Sequence, residues 1–191
     1  MLRVVFAGSP DCAVPAFEAV AAAHTVVAVL SNPPAPSGRS REPQPTPVAQ
    51  AAERLKKEGL IAPEVPVITP EKITDEIRDQ LAAVKPDAMA CFAYGKIFGP
   101  KTLALFPRGA VNLHPSLLPR WRGCAPVPAA ILSGDRETGI SIQKMVREMD
   151  AGDILAQKQY TIDPTETAGE LLARLSREGA PMLVDVLDRL E

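Results

Sequence analysis

The sequence predicts an α/β fold whose central sheet is mostly parallel and carries helices on both faces. Three observations lead there. Residues 2–7 and 25–30 are short apolar runs rich in β-branched side chains, and an alanine-rich segment opened by Pro15 lies between them. Two strands joined through a helix run parallel. Further apolar runs at 87–92 and 110–113 alternate with helical segments in the same way. A chain of 191 residues suits one domain with one substantial core rather than two.

The elements follow in order. The first strand, residues 2–7, turns at Gly8-Ser9-Pro10 into a loop, and Pro15 sits in the first turn of a helix running to Ala23. Residues 25–30 are the second buried strand. From 32 to 47, prolines and a glycine exclude both helix and central strand, so this stretch is a long loop. Residues 48–58 read as a helix, and Thr69-Pro70 reads as a cap with an N1 proline that opens another, ending near Ala83. After the strand at 87–92 come a short helix at 100–105 and the strand at 110–113. Residues 125–132 fit a helix, 138–145 alternate as a strand, and 154–162 pair with it. From Thr167, the residues Leu171, Leu172, Leu175, Leu183, Val186, Leu187 and Leu190 make a helical stripe, interrupted at Gly179-Ala180-Pro181.

Composition narrows the function classes. Hydrophobic residues are 46 %, charged residues 23 %, and the net charge is −2, so nothing pulls the whole chain toward nucleic acid; an RNA partner needs a local basic patch. Cys12, Cys91 and Cys124 are far apart with no C-x-x-C pair, which suits reduced thiols and implies no zinc site or other metal. The N-terminus lacks a signal-peptide pattern, and no apolar run approaches the ~20 residues of a membrane helix. The expectation is a cytoplasmic monomer with no membrane partner.

The chemistry concentrates in V-N-L-H-P-S-L-L-P-R-W-R-G, residues 111–123. Asn112 and His114 stand at the carboxyl end of a strand, where open α/β sheets bind ligands, and residues two apart in a strand face one side. An amide and an imidazole converging there can donate to an oxygen that turns negative in acyl transfer. Equally, such a pair can do no more than satisfy buried backbone groups. Asp150, in R-E-M-D-A-G-D, could orient the histidine and handle a proton, or could belong to a solvated turn. Gly8-Ser9-Pro10 lacks the glycine pattern of a dinucleotide or phosphate loop, and no G-x-S-x-G elbow surrounds Ser116. Arg39 with Arg41, and Arg120 with Arg122 around Trp121, could contact phosphates and stack on a base, or could be an ordinary surface loop and a tryptophan packed on arginine stems.

N-L-H-P-S-L-L-P-R-W-R-G-C-A-P resembles the N-x-H-x-S-L-L-P-x-x-x-G signature of the folate-dependent formyltransferases, and D-A-G-D-I-L at 150–155 resembles that family's second signature. V-V-F-A-G-S-P-D and A-Y-G-K-I extend the resemblance over nearly the whole chain. Within the family the chain looks most like the N-terminal catalytic domain of the methionyl-tRNA formyltransferase branch, through F-A-G-S-P-D, the long loop containing S-G-R, and R-W-R-G-x-A-P. The glycine- and serine-rich phosphate loop of the glycinamide ribonucleotide branch is missing, and the sugar-nucleotide branch usually lacks the long loop.

The resemblance implies a Rossmann-like formyltransferase fold and transfer of a formyl group from 10-formyltetrahydrofolate to the amino group of initiator methionyl-tRNA, for translation initiation. Alternatives are a formyltransferase for another amine such as a sugar nucleotide, and a catalytically silent folate-binding module. It implies catalytic roles for Asn112, His114 and Asp150. It places folate near Phe92, Ala93, Tyr94, Val146 and Met149, with Ser116, Leu117, Leu118 and Pro119 shaping the cleft wall. It sets Arg39, Arg41, Arg120, Trp121 and Arg122 against the tRNA acceptor end. It makes residues 1–191 the catalytic domain, with the expectation that the basic, β-rich C-terminal tRNA-binding domain of the branch is absent from this chain. Pro115 and Cys124 stand where the family usually has smaller residues.

Overall fold

The structure is a computed structural model that describes residues 1–36 and 42–190. Arg39 and Arg41 lie outside the described residues. In chain order the elements are β1 (Arg3–Gly8), a 3-10 turn (Asp11–Ala13), α1 (Val14–Ala23), β2 (Thr25–Leu30), β3 (Ala35–Pro36), β4 (Pro43–Gln44), α2 (Pro47–Lys57), β5 (Val67–Ile68) and α3 (Asp75–Ala83). There follow β6 (Ala88–Phe92), α4 (Pro100–Leu103), β7 (Ala110–His114), α5 (Pro126–Leu132), β8 (Glu137–Lys144), β9 (Ile154–Thr161) and α6 (Ala168–Asp188).

Among the described residues the main sheet has seven strands in the order β5-β2-β1-β6-β7-β8-β9, parallel from β5 to β7 and antiparallel through β8 and β9. This is the expected α/β architecture. Successive residues of a strand face opposite sides, so one apolar run serves two cores. Val4 and Phe6 of β1 pack with Phe17 and Val20 of α1 and Leu171 and Leu175 of α6, while Val5 and Ala7 pack with Met89 of β6 and Leu81 of α3. Phe6 and Phe17, both fully buried, bring their ring centroids to 4.9 Å. Burying a phenylalanine of this kind is worth about 1.5–3 kcal/mol.

Three local readings change. The helix expected from Thr69-Pro70 begins instead at Asp75 with Thr74 as cap. Asp75 and Glu76 place acidic groups in its first turn, which suits the helix dipole, and the Pro70 carbonyl is taken by the Lys96 ammonium. The stripe expected to break at Gly179-Ala180-Pro181 is one continuous helix, α6. A proline inside a helix strips the partner from a carbonyl one turn back, and here that carbonyl belongs to Arg177, an exposed residue that water can reach. Gly179 lets the same helix approach the sheet, since a Cβ there would come within 2.7 Å of Leu113. The proline-rich stretch holds the two-residue ladder β3–β4, and β5 hides among the prolines of E-V-P-V-I-T-P.

The sheet order positions the site. β1 is flanked by β2 on one side and β6 on the other, so the direction of strand addition reverses between them, and a crevice opens beyond their carboxyl ends. β7 ends beside β6 on the same edge.

Candidate active site

A cleft of about 540 Å³ occupies this crevice, within the range of pockets that take a small-molecule ligand. β7 delivers Asn112 and His114 to it, because both belong to the same face of the strand. The ladder with β8 sets Asn112 opposite Gln143 and His114 opposite Ser141. The Asn112 amide lines the cleft and makes no hydrogen bond to the described residues.

His114 is buried, and its Nε2 lies 2.8 Å from the carbonyl oxygen of Trp121. A carbonyl only accepts, so Nε2 carries the hydrogen and donates it. Nδ1 is left as the working nitrogen, 3.6 Å from Asp150 Oδ2. That gap is too long for a direct hydrogen bond. The two groups therefore stand together without being bonded to each other.

Asp150 is held by different means. Its Oδ1 accepts from Gln143 Nε2 at 2.7 Å and its Oδ2 from the backbone N–H of Gly123 at 2.9 Å. Its backbone is in the left-handed region at φ +50°. Gly152, two residues on, lies so close to the Lys144 carbonyl that any Cβ would collide with it. The loop from β8 to β9 thus folds tightly back on β8, and this presents Asp150 to the histidine. Four described residues other than glycine have positive φ, and Ala93, Trp121 and Asp150 among them line the cleft or bond to a residue that does. Each such position costs on the order of 1–3 kcal/mol, and strain of this kind gathers at functional sites.

Gln143 is a residue that the sequence reading missed. It is buried and lines the cleft, its amide nitrogen holds Asp150, and its Oε1 has no hydrogen-bond partner among the described residues. The only signal was a polar residue within the apolar alternation of G-I-S-I-Q.

Of the residues set near folate, Phe92, Ala93, Tyr94, Val146 and Met149 line the cleft, whereas Ser116, Leu117, Leu118 and Pro119 do not. Ser116, Leu117 and Leu118 brace the loop after β7 against β8 and β9. Ser116 Oγ donates to the Arg120 carbonyl at 2.7 Å, Leu118 N–H donates to Ser141 Oγ at 3.1 Å, and Gln157 Nε2 donates to the Leu118 carbonyl at 3.0 Å. Leu117 packs over Gly139 of β8.

The arginines divide too. Arg120 is engaged with Asp135 through Nε at 3.0 Å and Nη2 at 2.7 Å, and its guanidinium lies 4.4 Å from the centre of the Trp121 ring. Trp121 Nε1 donates to the same carboxylate at 2.7 Å. The hydrogen bonds from Arg120 first, and from Trp121 second, hold the Asp135 carboxyl below its ordinary range. Arg122 is exposed and makes no ion pair among the described residues.

All three cysteines line the cleft. Burial pushes the Cys12 thiol up to about 11 and the Cys91 thiol up to about 12, while Cys124 is exposed. Among the described residues there is no cluster of histidine, cysteine and carboxylate fit to hold a metal, and no helix is long and apolar enough to cross a membrane.

Known proteins place this geometry in a family. Solved structures with the same fold include phosphoribosylglycinamide formyltransferase from Streptococcus pneumoniae TIGR4, with a TM-score of 0.79 at 21% identity over 100% of this chain and 99% of that one. Glycinamide ribonucleotide transformylase 1 from Symbiobacterium toebii follows at a TM-score of 0.78 and 19% identity, over 98% of this chain and 86% of that one. In sequence, the chain is 54% identical over 191 residues to the methionyl-tRNA formyltransferase of Treponema pallidum (strain Nichols) and 50% identical over 190 residues to that of Treponema denticola. It spans about 60% of the length of the first of these and 59% of the second. The profile of the Formyl transferase family matches residues 2–187, and the chain belongs to that family.

Proposed function

We propose that residues 1–191 form the catalytic domain of an enzyme that transfers the formyl group of 10-formyltetrahydrofolate to the amino group of methionine on initiator tRNA. One observation carries this reading. A free amide, an imidazole nitrogen and a carboxylate converge at the strand-end cleft of a formyl transferase fold, in a chain about half identical to methionyl-tRNA formyltransferases.

The folate fits the site by size and by chemistry. The cleft is about 540 Å³, and Val146 and Met149 give it an exposed apolar rim. Phe92, Ala93 and Tyr94 line it as well, with Ala93, just past the end of β6, at φ +51°. The folate supplies the formyl carbon. Two tasks remain for the chain: to hold the formyl oxygen as it gains charge, and to carry one proton from the attacking amine to the departing folate nitrogen as the new C–N bond forms and the old one breaks. Asn112 Nδ2 has no other partner among the described residues and serves the oxygen. His114 Nδ1 and Asp150 Oδ2, 3.6 Å apart, leave room for a proton to pass between them and the nitrogen.

In this reading Arg122, with Arg39 and Arg41, faces the acceptor end of the tRNA. The compartment is the cytoplasm, in keeping with three free cysteines, and the protein acts as a monomer, which sedimentation checks.

The deciding experiment supplies purified protein with 10-formyltetrahydrofolate and either methionyl-tRNA or a nucleotide-sugar amine, and follows release of tetrahydrofolate. Formylation of methionyl-tRNA alone is expected. Turnover only with the sugar amine redirects the acceptor assignment, and folate binding without turnover on any amine overturns the enzymatic reading.

A further inference from the structure

The segment after β7 reaches both acid–base groups through its backbone. The Trp121 carbonyl accepts from His114 Nε2 at 2.8 Å, and the Gly123 N–H donates to Asp150 Oδ2 at 2.9 Å. Trp121 aims its carbonyl this way from the left-handed region, at φ +59°. Relaxed to an extended conformation, it would turn the carbonyl away from the imidazole. A tryptophan disfavours that region, so something must hold it there.

The side chains of the same segment do the holding. Trp121 is clamped from two sides, its ring under the Arg120 guanidinium and its Nε1 on Asp135 at 2.7 Å. Asp135 also takes both Arg120 nitrogens, and its side chain is only 15% exposed. One carboxylate, beyond α5 and outside the cleft lining, therefore fixes the guanidinium, the indole and through them the carbonyl.

We propose that Asp135 is a positioning residue for His114: by pinning the Trp121 indole it fixes the Trp121 carbonyl, which keeps the hydrogen of the neutral imidazole on Nε2 and leaves Nδ1 free toward Asp150. Arg120 and Trp121 then act inward, as parts of this clamp, and Arg122 is the member of R-W-R that remains available to a ligand. The kinetic consequence rests on the formyl-transfer reading; the imidazole consequence does not.

The chain has two histidines, and His24 lies elsewhere, its Nδ1 accepting from the Leu2 N–H at 3.4 Å. Nuclear magnetic resonance of protein labelled with ¹⁵N-histidine therefore reads His114 directly, with His24 as internal control. In the parent protein the His114 signals are those of the Nε2–H tautomer. In Asp135→Ala and in Trp121→Phe, which keeps a ring under Arg120 but loses the indole N–H, the His114 signals move toward a tautomer mixture and those of His24 stay. With the formyl donor and methionyl-tRNA, kcat falls on the order of tenfold to a hundredfold with little change in KM for the donor, as expected for a displaced catalytic group. The double variant costs no more than the worse single one, because both act through one carbonyl. Asp135→Asn, which keeps one acceptor, recovers part of both signals. Parent-like His114 signals in folded Asp135→Ala and Trp121→Phe overturn the proposal, and Trp121→Phe alone decides if Asp135→Ala does not fold. A parent protein that formylates no amine sinks the proposed function, while the tautomer shift still decides the role of Asp135.

Discussion

β7 and the loop between β8 and β9 bring their groups to the same few ångströms by opposite means. Asn112 is placed by a ladder bonded on both sides, to β6 and to β8, and His114 by its pairing with β8, so the strand fixes where both side chains leave the backbone. Asp150 stands in a left-handed conformation and is placed by a glycine pressed against Lys144, a glutamine side chain and a single N–H from Gly123. Ladder placement is redundant, whereas loop placement depends on each contact. A site of this construction is most exposed to damage, from changes that touch no reacting atom, on its loop side.

The comparison is broken most severely at the groups themselves. Asn112→Ala should lower kcat on the order of a hundredfold to a thousandfold, the usual cost of one oxyanion donor, and His114→Ala, which removes a proton carrier, by a similar factor, with KM for the formyl donor nearly unchanged in both. Steady-state kinetics on the folded variants reads this, and near-normal turnover in either removes it from the chemistry. On the loop side, Gly152→Ala forces a Cβ into the Lys144 carbonyl and should shift Asp150, costing roughly tenfold to a hundredfold in kcat while the β8–β9 pairing survives. Full activity in that variant would show that the loop tolerates what the ladder does not need to.

Gln143→Leu separates placement from stability. It frees Asp150 Oδ1, and about tenfold should be lost from kcat. It also deletes a buried oxygen without a partner, a group that costs about 1–3 kcal/mol, so urea denaturation should show stability held or raised. Activity and stability falling together would mean that Gln143 is structural.

The smallest effect lies at the clamp. Arg120 and then Trp121 hold the Asp135 carboxyl below its ordinary value of 3.8, so the unfolded chain takes up that proton first as the solution is acidified. The stabilisation is complete above about pH 4 and is lost as the pH falls through the depressed value. Asp75 beside Arg78 and Glu166 beside Arg174 are lowered in the same way and give a common background slope. Subtracting the acid unfolding profile of Asp135→Asn from that of the parent isolates the clamp, and identical slopes would deny it any pH dependence.

The same contrast explains what could be read in advance. The buried strands β1, β2, β6 and β7 were legible because parallel strands covered on both faces are unbroken apolar runs. Asn112 and His114 were legible as a pair because a strand's period is two. The start of α3 was misplaced because Thr69-Pro70 and Thr74-Asp75 are locally comparable openings, and the choice rests on the first-turn carboxylates and on Lys96, distant in sequence. The break expected in α6 failed because Pro181 lies on its exposed side. Gln143 meets Asn112 only across β7 and β8, and Asp135 lies fifteen residues beyond the arginine it holds, so neither contact has a local pattern. Ser116 and its neighbours looked like a cleft wall because they follow His114, yet Ser141 and Gln157 draw them against the outer strands.

The three thiols turn the cleft into its own reporter. Every cysteine of the protein lines that one cavity, and they differ in the property that governs alkylation: Cys124 is exposed, whereas Cys12 and Cys91 have thiols pushed up to about 11 and about 12. A mild alkylating reagent meets the exposed Cys124 first, the half-buried Cys12 next and the buried Cys91 last. Without any engineered label, the order and speed of three mass increments record whether a ligand is seated and how far down it reaches.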